Sequence, residues 1–546
     1  MKRHPWATKA FAAAALGGAL GLISCGGDGD KDGAGPVADP VPYALLPEQT
    51  PSWSEADRDF FLHGSMGTEF LPEVLLRAWA ETEPGLIPSA TLVAFGAVAE
   101  RADGLPLGFS LRRVEHLGGL PSLGINCASC HAGQVVPPGG GAPITLLGQP
   151  APFDAEAFFG AVVVAMVKTA DPEAMKKFLP AYARARLRRA DAQAVREMEE
   201  LIAKDMAAIA AAVKEDPLAN RGAAAGAMHV LGEHDLDLFV PGTTKLVPLP
   251  DLARNLLRLL HNMRAALHIP DALPAGAPPA SGPGRNDAFG LLSLVLLGTP
   301  QEYAPVKFGV VWNVDRRRWV HWDGNTPSPM ARNLLAAVGL GAPLLGKKAV
   351  LDVAVLKRQT QLSETIRPPK YPWQIDEAAA KRGEAHYRAN CASCHDGPES
   401  DARLHAVAEV GTDPARARAF TQKQADGFNG FLRTVQVENF DASKEPAIRG
   451  TGKYWASALE GVWARAPYLH NGSVRTMADL LSPPASRPKT WRRGSREYDA
   501  SGLGYADAGP HVLDTTTPGN SNAGHDYGTA LPGDAKRDLI EFLKAK

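Results

Sequence analysis

The chain has 546 residues, a formal net charge of -1 and 45% apolar residues. That length exceeds one compact core and predicts several domains. The near-neutral charge excludes the basic field on which nucleic-acid binding depends, and 54 glycines with 45 prolines predict many irregular connections.

Lys2, Arg3 and Lys9 precede an apolar, small-residue run over residues 11–23. This is the charged start and short hydrophobic core of an export signal, too short to span a bilayer. Leu22, Ile23, Ser24 and Cys25 read as a bacterial lipobox, so residues 1–24 are expected to be cleaved and Cys25 to carry lipid. Residues 25–40, rich in Gly and Asp, read as a flexible tether. Several acyl chains on one residue anchor stably, and the expected location is outside the cytoplasm, lipid-anchored on a periplasmic or outer-membrane face. The best later apolar run, residues 291–297, is too short to cross a membrane.

Residues 41–170 contain Cys127, Cys130 and His131 in a Cys-x-x-Cys-His string. Residues 100–120 read as loop-like and residues 135–152 as rich in Pro and Gly, so the segment is expected to be a small helical domain. Residues 171–283 form an expected helical insertion, because Met175, Phe178, Leu179, Met198, Leu201, Ile202, Met206 and Ile209 recur at helical spacing. An apolar stripe of this kind is core, methionines included. Residues 274–284 are a Pro/Gly/Ala-rich hinge, and residues 284–370 a loop-rich segment holding Trp312, Trp319 and Trp322. Residues 371–546 form the last domain: 377–390 are helix-like and deliver Cys391 at the helix end, Cys394 and His395 complete a second Cys-x-x-Cys-His string, and 534–546 suit a closing amphipathic helix.

Of five cysteines, four fall into the two strings, and none is left for a disulfide. Two thiols three positions apart on a helical turn meet the two vinyl groups of one porphyrin edge, and the adjacent histidine reaches the iron. A four-cysteine zinc site would need no histidine after each pair, and a thioredoxin-like pair explains neither the duplication nor His131 and His395. The expected cofactors are therefore two covalently bound haem c groups. The fold class follows: mainly α with long irregular loops, two cytochrome c-like haem domains plus a helical insertion.

From about residue 119 to its end, the chain resembles the bacterial di-haem cytochrome c peroxidase superfamily, most of all its rubber-oxygenase-type branch. The resemblance rests on residues 126–133 (Asn-Cys-Ala-Ser-Cys-His-Ala-Gly), 322–325 (Trp-Asp-Gly-Asn), 466–473 (Ala-Pro-Tyr-Leu-His-Asn-Gly-Ser) and 524–528 (Gly-His-Asp-Tyr-Gly), in the family's order. It implies a six-coordinate C-terminal haem that handles electrons and an N-terminal haem that activates peroxide or dioxygen. It also implies His525 as sixth ligand of the His395 iron, with His470 as rival, Trp322 as an electron relay between haems, and calcium between the domains. Peroxide-using relatives follow Trp-Asp-Gly with an arginine, then a glutamine and a glutamate. Here Asn325 replaces the arginine and no Gln or Glu occurs in residues 326–346, which removes the general acid or base that oxygen-bond cleavage needs. Arg332 and Asn333 are the nearby polar candidates for orienting a bound oxygen species. The alternative function is electron transfer alone with both irons six-coordinate. Expected partners are an electron donor or acceptor protein, a small oxygen species or an unknown organic substrate, and the membrane through the anchor, with no nucleic acid.

Overall fold

A computed structural model describes residues 44–99, 105–187, 192–214, 228–269, 280–299, 301–317, 319–345, 348–349, 352–397, 403–434 and 447–546. The export signal, Cys25, the tether and most of the hinge lie outside the described residues. Helix takes about 46% of the structure. No helix of the described residues is long and apolar enough to cross a membrane.

The stripe read as core is core. Met175, Phe178, Leu179, Met198, Ile202 and Ile209 are buried, and Leu201 and Met206 are partly so. They lie on the helices Pro172–Leu187 and Ala192–Lys214. Their cluster also takes Phe70, Trp79 and Phe158 from before residue 171 and Leu256 and Met263 from the helix Leu249–Ala266. The helical insertion thus shares one apolar core with much of the segment that precedes it. A second core runs from Trp53 to Leu543 and includes Cys127, Trp312, Trp463 and Leu539, so the first string is packed together with residues from the far end of the chain.

Within residues 100–120, of which 105–120 are described, the structure differs from the loop the sequence predicts. Phe109–Arg113 is a strand paired antiparallel with Pro121–Ile125, Phe109 opposite Ile125 and Arg113 opposite Pro121, and Leu71–Pro72 flanks the same partner. The charged Arg112 and Arg113 hide a short strand whose inner end, Phe109 and Ser110, is buried. The segment around the first string is accordingly not a purely helical domain. A second sheet joins Ala132–Val135, directly after the string, to Ile144–Leu147 and Ala44–Leu45.

The C-terminal unit is closed by two helices that cross closely. Glu377–Asn390 ends at Cys391, and Gly533–Ala545 packs across it. Gly383 permits the crossing, since a Cβ there would lie 2.0 Å from the Asp538 carbonyl oxygen. Arg382 clamps the contact through two bonds to the Asp538 carboxylate, at 2.8 and 2.7 Å, and Tyr387 lies 5.0 Å from Phe542, ring centre to ring centre. Gly383→Ala is expected to push the helices apart and destabilise this unit by roughly 1–3 kcal/mol, the range for overpacking a tight contact. A thermal melt followed by Trp fluorescence checks this, and an unchanged midpoint would refute it.

Candidate functional site

The helical turn Cys127–His131 starts at an Asn126 cap, whose side-chain oxygen accepts from the Ala128 amide at 2.9 Å. Asn126 Nδ2 in turn donates to the Gly64 carbonyl at 2.9 Å, tying the turn to the end of the helix Glu55–His63. Gly108, at φ +85°, lies under the turn so closely that a Cβ would fall 1.9 Å from the Ser129 nitrogen. The second string has a different origin: Cys391 ends the long helix and Ala392–His395 makes one further turn.

Both strings border one cavity of about 1890 Å³. Ordinary single-ligand pockets hold about 300–1,000 Å³, so this one has room for more than one cofactor-sized group. Cys127, Cys130, Cys391 and Cys394 form no disulfide. Burial pushes Cys130 up to about 12 and Cys391 up to about 11, so they are protonated rather than metal-ready thiolates. Among the described residues, no three His, Cys, Asp or Glu side chains are grouped to hold a metal ion, which removes the four-cysteine zinc alternative.

The two histidines that follow the cysteines have different surroundings. His395 Nδ1 lies 2.7 Å from the Ser457 carbonyl oxygen, so it carries the hydrogen and leaves Nε2 bare for a metal. The His525 ring is 6.3 Å from the His395 ring, centre to centre, at 48°. Two imidazoles on opposite sides of one metal ion, each bound at about 2 Å, have ring centres about 6 Å apart and are free to rotate about their shared axis. Burial, with His395 nearby, pushes His525 down to about 4, so its nitrogen is unprotonated as ligation requires. His470 instead stacks flat on Tyr454 at 4.1 Å and 24°.

His525 is held by its backbone. Its amide donates to the Val410 carbonyl at 2.7 Å. Gly524, at φ +71°, passes so close to Gly411 that a Cβ would sit 2.2 Å from the Gly411 carbonyl carbon.

His131 faces Phe308 at 6.4 Å, and burial together with the charge of Arg332 pushes its imidazole down to about 3. Arg332 borders the cavity. Asn333 also borders it, but its amide donates to Thr360 Oγ1 at 2.7 Å, which ties it to the helix Val353–Thr365. Trp322 lines the same cavity and donates from Nε1 to the Lys307 carbonyl at 3.0 Å. The Lys307 ammonium lies 5.4 Å from the Trp322 ring centre and donates to the carbonyls of Pro467, at 2.7 Å, and Arg465. Burial, with Arg465 and Arg493 close by, lowers the Lys307 pKa well below its ordinary value. Its partners are carbonyls rather than carboxylates, so an anionic group in the cavity would stabilise this charge. Haem propionates are such groups, and this donor set, the paired thiols and the His395–His525 spacing all fit haem.

One residue that sequence reading passed over also lines the cavity. His321 precedes Trp322, and Asn325, four positions on, holds its Nδ1 at 2.8 Å. The available signal was that His-x-x-x-Asn spacing across a Trp-Asp-Gly turn.

The C-terminal part of the chain matches family models in two stretches. Residues 378–436, which include the second string, match the cytochrome c oxidase, cbb3-type, subunit III model, and residues 452–492 match a RoxA-like, cytochrome c-like model. The chain therefore carries cytochrome c-type sequence, which implies covalently bound haem c and a haem-based electron-transfer or oxidoreductase role. Two proteins of Sinorhizobium fredii are similar to it. Uncharacterized protein y4iM is 32% identical over 283 residues, which span 43% of this chain and 63% of that protein. Uncharacterized protein y4iJ is 30% identical over 356 residues, 48% of this chain and 60% of that protein. The matched part thus falls short of two thirds of either relative's length.

Gly524→Ala is expected to displace His525 from His395 without touching either histidine. The checking measurement is the low-spin signal of the ferric protein by electron paramagnetic resonance, with haem content followed by pyridine haemochrome. Loss of one low-spin signal at unchanged haem content is expected, and retention of that signal would refute it.

Proposed function

We propose that this chain is a di-haem c-type oxidoreductase, with one haem joined to Cys127 and Cys130 under His131 and the other to Cys391 and Cys394 under His395. His395 and His525 would hold the C-terminal haem, which would supply electron transfer. A bis-histidine iron has a lower potential than a histidine/methionine iron, which suits a donor or reservoir. His131 would hold the N-terminal haem, which would supply the chemistry that activates peroxide or dioxygen. Haem iron, when bound, supplies the electron-transfer and oxygen chemistry, and the protein supplies binding, orientation and electrostatics. Trp322, bordering the one cavity that both strings share, is the electron relay, and the nearby Lys307 charge disfavours a lasting positive charge on the indole. Arg332 is the cation beside His131 that orients the oxygen species. Cys25 carries the lipid that holds the protein on a membrane outside the cytoplasm, where it exchanges electrons with a partner protein.

The observation that carries this reading is the asymmetry of the strings: His395 has a second imidazole at ligation distance, whereas His131 has Phe308 as its ring neighbour. The test is the spectrum of the purified, reduced holoprotein with and without carbon monoxide. One haem that binds the gas and one that does not is the expected result. Two haems that both refuse it would establish the electron-transfer-only alternative and sink the proposal.

A further inference from the structure

The surroundings of His321 are those of a built site. It sits in a tight turn closed by the Val320 amide donating to the Thr326 carbonyl at 2.9 Å. Its own backbone is at φ +71°, a left-handed conformation uncommon for a residue with a side chain. Its Nδ1 is 2.8 Å from Asn325 Oδ1 and 3.2 Å from Thr326 Oγ1, and Thr326 Oγ1 also donates to Asn325 Oδ1 at 2.8 Å. An amide oxygen only accepts, so Nδ1 carries the ring hydrogen and Nε2 is left with a bare lone pair. Phe289 packs edge-on against the ring at 4.9 Å. The ring borders the same chamber as Cys127, Cys130, His131 and Arg332. Burial and the Arg332 charge push the imidazole down to about 3, which keeps it uncharged.

We propose that His321 is the catalytic base of the N-terminal haem pocket, accepting on Nε2 the proton of a weak acid H–X, such as hydrogen peroxide, whose conjugate base then binds the ferric iron. The H–X bond breaks heterolytically: its electron pair stays on X, the proton goes to Nε2, and no electron changes centre. This rests on the reading of an open N-terminal iron given above. It supplies from a position before the tryptophan the acid–base group that the segment after it lacks, since no Gln or Glu occurs in residues 326–346. Asn325, where the peroxide-using relatives have an arginine, is the positioning residue that fixes the ring.

Cyanide is the probe, because at neutral pH it arrives as HCN and must lose its proton to bind ferric iron. Stopped-flow association at pH 7 is measured on the ferric holoprotein and on His321→Asn and Asn325→Leu. Asparagine tolerates the left-handed backbone at 321, so His321→Asn keeps the turn, and an unchanged low-spin signal from the other haem reports an intact fold. General-base assistance contributes about 10²–10⁴-fold, so His321→Asn is expected to slow cyanide association by at least about 10²-fold without altering the spin state of the N-terminal iron. Asn325→Leu, which keeps the imidazole but frees it, is expected to slow association less. Equal rates in wild type and His321→Asn would overturn the inference alone, as would conversion of the N-terminal iron from low to high spin, which would make His321 an iron ligand. A wild-type protein that binds neither cyanide nor carbon monoxide overturns the open-iron reading and this inference with it.

Discussion

The turn from His321 to Thr326 is held in place by a buried ion pair. Arg416 Nη2 lies 2.9 Å from Asp323 Oδ2, with the side chains only 3% and 2% exposed. Removing one partner of such a pair strands a charge in a dry interior and costs about 3–5 kcal/mol. The Arg416 guanidinium also lies 4.3 Å from the Phe289 ring centre and 5.0 Å from that of Phe420, two rings that pack against each other at 4.7 Å. Bonds from the C-terminal part to the turn's carbonyls complete the clamp: the Arg449 amide donates to the Asn325 carbonyl at 3.0 Å, the Trp455 amide to the Trp322 carbonyl at 2.8 Å, and the Thr451 hydroxyl to the Asp323 carbonyl at 2.7 Å. The residues between the strings are therefore referenced to the C-terminal unit. Any shift there would carry Trp322 and His321 with it.

The cavity shows how one polypeptide can give two similar Cys-x-x-Cys-His strings unlike environments. Near His395 the chain supplies neutral imidazoles and backbone carbonyls, and the second ring comes from a segment brought in by glycine-to-glycine contact. Near His131 it supplies the Arg332 cation, the tilted Phe308 ring and, facing the same chamber, the His321 imidazole. Burial lowers all of these histidines. The cations beside them differ: Arg332 acts on His131 and His321, Arg465 on His395 and Arg487 on His525.

Much of the helical architecture was legible from periodicity. The stripe at Met175 to Ile209, the helix leading into Cys391 and the closing helix obey simple apolar spacing that packing does not override. Phe109–Arg113 was not legible, because its pairing is settled by the facing strand and not by its own alternation. The four cysteines and their histidines could be read from spacing alone. His525 was reachable only through resemblance, since what aims it is the approach of Gly524 to Gly411, more than a hundred residues apart in the chain. The local signal of His321, an asparagine four positions on, is weak beside the Trp-Asp-Gly turn that it spans. The set of buried cations around Lys307 is a purely tertiary arrangement that no local pattern announces.

The burial of Cys127, only 9% exposed and part of a core that extends to Leu543, bears on how the molecule is made. On the proposed attachment, an enzyme joining porphyrin to that sulfur would have to act before the chain closes, at an earlier, open stage of biogenesis. The polypeptide would then wrap around a group it already carried, with residues from its last helix sealing an interior loaded beforehand.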